Sequence, residues 1–142
     1  MIRELETQHI ESIMKIWLDT NIKAHDFITE KYWIDNLETV KTMLPQAEVY
    51  LYDDEKTNEI QGFIGVIDEC IEGIFVRSEM QSKGIGKQLL DYIKFKKIRL
   101  NLRVYQKNER ALNFYFREGF KVQSKGIDEN TKEPEYIMVW ER

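Results

Sequence analysis

Residues 81–87, Gln81-Ser82-Lys83-Gly84-Ile85-Gly86-Lys87, combine two glycines, two lysines and two hydroxyl or amide side chains in seven positions. They follow an apolar run, Gly73-Ile74-Phe75-Val76, which reads as a buried strand, and they open a helical repeat through Leu89 and Leu90. A strand, a glycine loop and a helix in that order make an anion site. The first backbone N–H groups of a helix have no partner inside it, and the macrodipole is positive there. Gly84 and Gly86, lacking Cβ, let a phosphate oxygen come close to the backbone. Lys83 and Lys87 add positive charge at the same end. The expected guest is a pyrophosphate. Two further groups have proton chemistry: Glu72, a carboxylate in an otherwise apolar strand, and His25, a histidine in an early loop. A carboxylate in such a strand is costly unless it is paired or open to a cleft.

Spacing narrows the choice of pyrophosphate. A P-loop requires glycine where Gln81 stands and Ser or Thr where Gln88 stands. A dinucleotide-binding fingerprint requires a small residue at position 89, which is Leu89, and an acid near position 101, which is Asn101. Neither fits. The pattern that remains is Gln81-x-x-Gly84-x-Gly86.

The elements that must position these residues follow from hydrophobic periodicity. Ile2 to Glu6 predicts a short strand. Ile10, Ile13, Met14, Trp17 and Leu18 mark an amphipathic helix with Thr7 as N-cap, ending where Asn21 to Ile28 breaks the pattern. Thr29 starts a second helix carrying Trp33, Leu37, Val40 and Leu44 on one face, and Pro45 stops it. Alternation from Ala47 to Tyr52 predicts a strand with Ala47, Val49 and Leu51 on one side and Glu48, Tyr50 and Tyr52 on the other. After a charged turn from Asp53 to Glu59, strands at Ile60–Ile67 and Cys70–Val76 are joined by the reversal Asp68-Glu69. The next helix runs from about Gly84 to Lys97, and a strand covers Ile98 to Tyr105. Asn108 is placed to cap a helix carrying Ala111, Leu112, Phe114 and Tyr115, with Gly119 just past its end. Strands at Phe120–Ser124 and Glu135–Trp140 close the sheet. The order β-α-α-β-β-β-α-β-α-β-β predicts an α+β fold with one mixed, mostly antiparallel sheet flanked by helices.

At 142 residues the chain suits one domain, spanning residues 1–142, without repeats or linkers. A single cysteine, Cys70, excludes an intramolecular disulfide and fits a reducing cytoplasm. The first residues lack the apolar core of a signal peptide and no run reaches membrane-spanning length, so neither secretion nor a membrane is expected. A net charge of −4 argues against general nucleic-acid binding. His9 and His25 show no metal-ligand spacing with Cys70, and no metal is expected.

The Gln81-x-x-Gly84-x-Gly86 pattern resembles the Q/R-x-x-G-x-G/A signature of the GNAT superfamily of N-acetyltransferases. Asn108-x-x-Ala111-x-x-Phe114-Tyr115-x-x-x-Gly119-Phe120 is similar to the second signature of that family. The element order matches as well, so the resemblance covers nearly the whole chain. Ala24-His25-Asp26-Phe27 looks like the substrate-side segment of small bacterial members, the YjaB/YiaC group.

The resemblance implies acetyl transfer from acetyl-CoA to a primary amine, by direct attack in a ternary complex. It implies that the strand at Ile74, Phe75 and Val76 splays from the strand at Leu100–Val104 and offers its backbone to pantetheine. The N–H of Val76 or a neighbour then faces the thioester oxygen. Gln81, Ser82, Lys83, Gly84, Ile85, Gly86 and Lys87 would take the pyrophosphate. Asn108, Ala111, Phe114, Tyr115 and Arg117 would line the rest of the cofactor site. Tyr115 would be the general acid that protonates the departing thiolate. For the base, Glu72, His25 and water all stay open, and at the position where some relatives carry a catalytic glutamate this chain has Cys70.

His25 and Phe27 are expected on the acceptor side. The acidic residues Asp26, Asp68, Glu69 and Glu72, set against a basic cofactor loop, predict a cationic acceptor, with Phe27, Tyr32 and Trp33 available to cover its aliphatic part. A module that holds acetyl-CoA without turnover is the alternative, and a monomer or a homodimer fits equally.

Overall fold

A computed structural model describes residues 1–142 as one seven-stranded sheet with helices on both faces. The elements are β1 (Ile2–Glu4), α1 (Ile10–Ala24), α2 (Glu30–Met43), β2 (Glu48–Asp53), β3 (Ile60–Ile67), β4 (Cys70–Val76), α3 (Ile85–Lys96), β5 (Arg99–Tyr105), α4 (Glu109–Arg117), β6 (Lys121–Ile127) and β7 (Pro134–Glu141). The strands lie in the order β1-β2-β3-β4-β5-β7-β6, and every neighbouring pair is antiparallel except β4 with β5. The fold is α+β, as the periodicity predicts.

Both faces of the sheet bury apolar side chains. Against one face, α3 and α4 bring Leu89, Leu90, Ile93 and Leu112 onto Ile64, Val66, Leu100, Leu102 and Met138. Against the other, α1 and α2 bring Ile13, Met14, Trp17 and Trp33 onto Val49, Leu51 and Phe63. A central sheet buried on both sides has no polar face to show. Tyr50 points away from Leu51, as the alternation predicts, and enters the second core under α3.

Local chemistry moves several boundaries. The first helical turn (Thr7–His9) is 3₁₀ and its N-cap is Glu6, not Thr7; the Glu6 N–H donates to His9 Nδ1 at 3.1 Å. Helix α1 does not stop at Asn21. Thr20 Oγ1 donates to the Ile16 carbonyl at 2.6 Å and Asn21 Nδ2 to the Trp17 carbonyl at 2.9 Å, so these polar residues satisfy themselves within a buried helix face. Ile98 precedes β5 and is 71% exposed instead of starting the strand. Asp53 is no turn residue: it ends β2, buried, with Arg3 Nε 2.6 Å from its carboxylate. No helix is long and apolar enough to cross a membrane.

Two irregularities in β4 shape the middle of the sheet. Gly65 pairs with Gly73 but Val66 pairs with Ile71, which leaves Glu72 as an extra residue, a β-bulge. The bulge resets the alternation. Ile71, Ile74 and Val76 all pack toward the α3–α4 core, while Phe75 packs with the α1–α2 core. Plain alternation predicts Cys70, Glu72 and Ile74 on one side of the strand; the bulge puts Ile74 on the side of Ile71 instead. The second irregularity is the parallel seam: β4 pairs with β5 only at Cys70–Asn101 and Ile71–Leu102. Past Ile71 the two strands part.

Candidate active site

The parting strands leave backbone without a sheet partner. The Arg77 N–H donates to the Gln61 carbonyl at 2.9 Å, on the β3 side. Successive residues of a strand point their backbone groups to opposite sides, so Val76 and Ile74 present theirs to the opening. Within it, the Val76 carbonyl accepts from Gln81 Nε2 at 3.0 Å. That bond folds the glycine loop back over the end of β4. The Val76 N–H is left facing the gap.

A cavity of about 670 Å³ fills one side of the opening. Ile74, Phe75, Val76, Gln81, Ser82, Gly84, Ile85, Gly86, Lys87, Asn108, Ala111, Phe114, Tyr115 and Arg117 all line it, so the two sequence signatures meet across one space. Lys83 does not reach this cavity; it is exposed on the loop. Lys87 reaches the wall but is tied to Asp91 at 3.0 Å and Glu118 at 3.2 Å. The two glycines differ. Gly84 sits at φ +85° as the N-cap of α3, and a Cβ there would meet open space. A Cβ on Gly86 would instead touch the Phe114 ring at 3.7 Å and Ile74 at 3.9 Å, ordinary contacts. Sequence reasoning missed Arg110, which lines the cavity and donates to Ser82 Oγ at 3.0 Å. It shares one face of α4 with Asn113 and Arg117, an i, i+3, i+7 spacing that the sequence offers as a signal.

A second cavity of about 430 Å³ adjoins the first and shares Asn21, His25, Ile74, Phe75, Asn108, Ala111 and Tyr115 with it. Its remaining walls are largely apolar and include the aromatics Trp17, Tyr32, Trp33, Phe63 and Tyr105, and it carries the charges of Glu72, Arg103 and Asp128. Asp26, Asp68 and Glu69 are exposed and line neither cavity, which corrects the expected source of negative charge. Phe27 stands one layer behind, edge-on to His25 at 5.6 Å and to Tyr105 at 5.7 Å between ring centroids. Asp128 was not anticipated. Its carboxylate accepts from the Tyr105 hydroxyl at 2.6 Å and from the Asn130 N–H at 2.8 Å. Partial burial opposes its ionisation, but these bonds outweigh burial and hold its pKa below the ordinary carboxylate value. The Asp128-Glu129-Asn130-Thr131 turn was legible as an Asx motif; its tyrosine partner was not.

Tyr115 is buried where the cavities join, and burial alone pushes its phenol well above the usual value. His25 is held on both nitrogens. Asn108 Oδ1 accepts from the Ala111 N–H at 3.2 Å as the N-cap of α4, which turns the Asn108 Nδ2 group toward His25 Nε2, 3.2 Å away. An amide N–H only donates, so Nε2 is the bare nitrogen. His25 Nδ1–H then donates to the Asn21 carbonyl at 3.0 Å. Burial lowers the pKa of the ring. Cys70, which with Glu72 stands beside the opening, is a half-buried thiol whose pKa is pushed up to about 11 by burial and then by the charge of Glu72.

Comparison with known proteins agrees with this layout. Residues 45–122 match the family described as acetyltransferase (GNAT) domain. The peptidyl-lysine N-acetyltransferase YiaC of Escherichia coli strain K12 is 31% identical over 142 residues, covering 99% of this chain and 96% of that protein. The peptidyl-lysine N-acetyltransferase YjaB of the same strain is 24% identical over 94% of this chain and 90% of its own. The solution structure of apo YjaB from Escherichia coli superposes with a TM-score of 0.86, at 23% identity, over 99% of this chain and 96% of that one. The PaiA N-acetyltransferase of Thermoplasma acidophilum, solved with coenzyme A, gives 0.80 at 18% identity over 100% and 98%.

Proposed function

Since the chain belongs to the GNAT acetyltransferase family, we propose that it carries the acetyl group of acetyl-CoA to a lysine-type alkyl amine by direct attack in a ternary complex. One observation carries the reading: two cavities, one beside the glycine loop and one walled by aromatics and carboxylates, open onto each other at Tyr115 and the unpaired backbone of β4. The open space at Gly84 and the helix start behind it fit the pyrophosphate of CoA. The unpaired edge of Ile74–Val76 fits the pantetheine amides. YiaC and YjaB are named for peptidyl-lysine, and PaiA was solved with coenzyme A.

In this mechanism the amine enters from the aromatic cavity as an ammonium ion attracted by Glu72 and Asp128. Glu72, directly or through water, takes its proton. His25 is a poor base, because the only lone pair it has is already given to Asn108. The neutral nitrogen attacks the thioester carbon, and the Val76 N–H stabilises the oxyanion that forms. Collapse breaks the C–S bond, the departing thiolate receives the Tyr115 proton, and the phenolate regains a proton from the nitrogen as that becomes the amide, directly or through water. A phenol raised by burial holds that proton at every working pH.

The test is bisubstrate kinetics with acetyl-CoA and lysine-bearing peptides. Intersecting double-reciprocal lines and acetylated lysine in the product are expected. Parallel lines with acetyl left on the protein, or transfer to hydroxyl acceptors alone, would overturn the proposal.

A further inference from the structure

His25 lies between the cavities and serves neither as base nor as a plain core residue. Its ring stacks on Trp33 at 5.1 Å between centroids and meets the edges of Phe27 and Tyr105 at 5.6 and 5.2 Å. Three packed rings, from α2, β5 and the connection between α1 and α2, thus fix its plane. Its hydrogen bonds fix its tautomer. The chain of donors runs one way: Ala111 N–H to Asn108 Oδ1, Asn108 Nδ2–H to His25 Nε2, His25 Nδ1–H to the Asn21 carbonyl. No link can be reversed without breaking the cap of α4, because a backbone N–H and a backbone carbonyl stand at its two ends.

Building on the proposed transfer of acetyl from acetyl-CoA, we infer that His25 is a positioning residue. Its bare Nε2 holds the Asn108 amide so that the second Nδ2–H is presented to the cofactor. The same ring forms the wall between cofactor and acceptor.

Protonation destroys this arrangement. A second proton, on Nε2, would face the Asn108 amide protons, and the amide must then turn, taking Oδ1 away from Ala111. No charged side chain touches the ring to oppose or favour that proton. Asn21 of α1, Trp33 of α2, Tyr105 of β5, Asn108 and Phe27 surround it, and the nearest charges stand one residue further out. These are Asp128 on the Tyr105 hydroxyl and Lys107, whose Nζ lies 5.4 Å from the centre of the Phe27 ring. Burial keeps the ring neutral near neutral pH.

Gln and Leu separate this role from others. In His25→Gln the side-chain carbonyl stands where Nε2 stood and still accepts from Asn108, but it cannot be protonated. In His25→Leu the shape is roughly kept and the acceptor is gone. Acetyl-CoA affinity is measured by calorimetry between about pH 8 and about pH 5, a range that spans the ordinary histidine titration. His25→Leu should bind about tenfold more weakly, the usual effect of leaving a buried donor unpaired. His25→Gln should bind like the wild type at pH 8 and lose the part of the acid weakening that the wild type shows. Turnover on a lysine peptide should survive in His25→Gln, which a lost catalytic base would not allow. Wild-type affinity in the Leu variant, or a Gln variant as impaired as Leu, would overturn the role. Should His25→Leu not fold, ¹⁵N spectra of the wild type decide: a bare Nε2 and a protonated Nδ1 support the inference, and the opposite tautomer overturns it. With only His9 as the other histidine, assignment is direct. A wild type that neither binds acetyl-CoA nor acetylates would remove the functional reading and this one together. A competent wild type beside an indifferent Leu variant removes only the role of His25.

Discussion

The Phe75 ring lies over Gly73: a Cβ added to Gly73 would stand 2.2 Å from the ring's Cζ. Residues two apart in a strand share a face, and with no side chain at position 73 the ring folds back over it. Phe75 in turn rests against Phe63, 4.8 Å between ring centroids, and lines both cavities.

Gly73→Ala should therefore act on kinetics as well as on stability. The ring must swing away, at a cost of about 1–3 kcal/mol for an overpacked site, and as it lines both cavities its displacement should change the space meant for substrates. Denaturant unfolding and KM values for both substrates test this; a variant that is destabilised with unchanged KM values would contradict it.

The two loop glycines should respond differently. Gly84→Val puts a branched side chain into open cavity from a left-handed backbone position, so it should abolish acetyl-CoA binding. Gly86→Ala adds a methyl at ordinary contact distance from Phe114 and Ile74 and should bind within about threefold of wild type, less than the effect of one lost hydrogen bond. Calorimetric titration with acetyl-CoA reads both.

Tyr115→Phe removes one hydroxyl. Acetyl-CoA affinity and thermal stability should be kept, while kcat falls about 100-fold, the scale of general acid catalysis. The loss should not be recovered at any pH, since the wild-type phenol does not ionise in the working range. Wild-type turnover in the variant would remove the assignment.

The Cys70 thiol reports on Glu72 without an activity assay. Its pKa near 11 lies above the unfolded value, so at pH 8 little thiolate is present and alkylation by iodoacetamide should be slow. Through the pH window from the unfolded thiol value up to about 11, the folded state holds the proton that the unfolded state loses. Stability therefore falls as pH rises through that window. Glu72→Gln removes the adjacent negative charge and should speed alkylation at fixed pH. An unchanged rate would show that the two groups do not feel each other.

Asp128→Asn keeps an acceptor for Tyr105 and loses the charge. The KM of a lysine peptide should rise about three- to tenfold, as for loss of a partly exposed ion pair, with acetyl-CoA KM unchanged. The wild-type acceptor KM should rise with salt and that of the variant less so. Because hydrogen bonds outweigh burial and hold Asp128 below the ordinary carboxylate range, its contribution should persist through that range as pH falls and be lost only below it. Identical salt dependence in both proteins would exclude Asp128 from acceptor binding.

The sequence by itself determined what depends on near neighbours in the chain. Strand alternation, the helix faces of α1 to α4, the Asn108 cap and the strand-to-glycine-loop-to-helix order are all patterns closed within a few residues, and they stand where periodicity places them. Tertiary structure alone decided the rest. The bulge that turns Ile74 away from Glu72 depends on the register of β3 against β4, and no local pattern marks it. The alternation of β2 stands as the sequence places it, but that both of its sides are buried is a property of the layers, not of the strand. The junction of the site joins residues far apart in the chain. Asn108 and His25 are 83 positions apart, and Tyr105 and Asp128 are 23 apart. Such pairs exist only because the sheet order sets α1, β5 and α4 side by side around the gap between β4 and β5, and the sequence contains that order only through the packing of the whole chain.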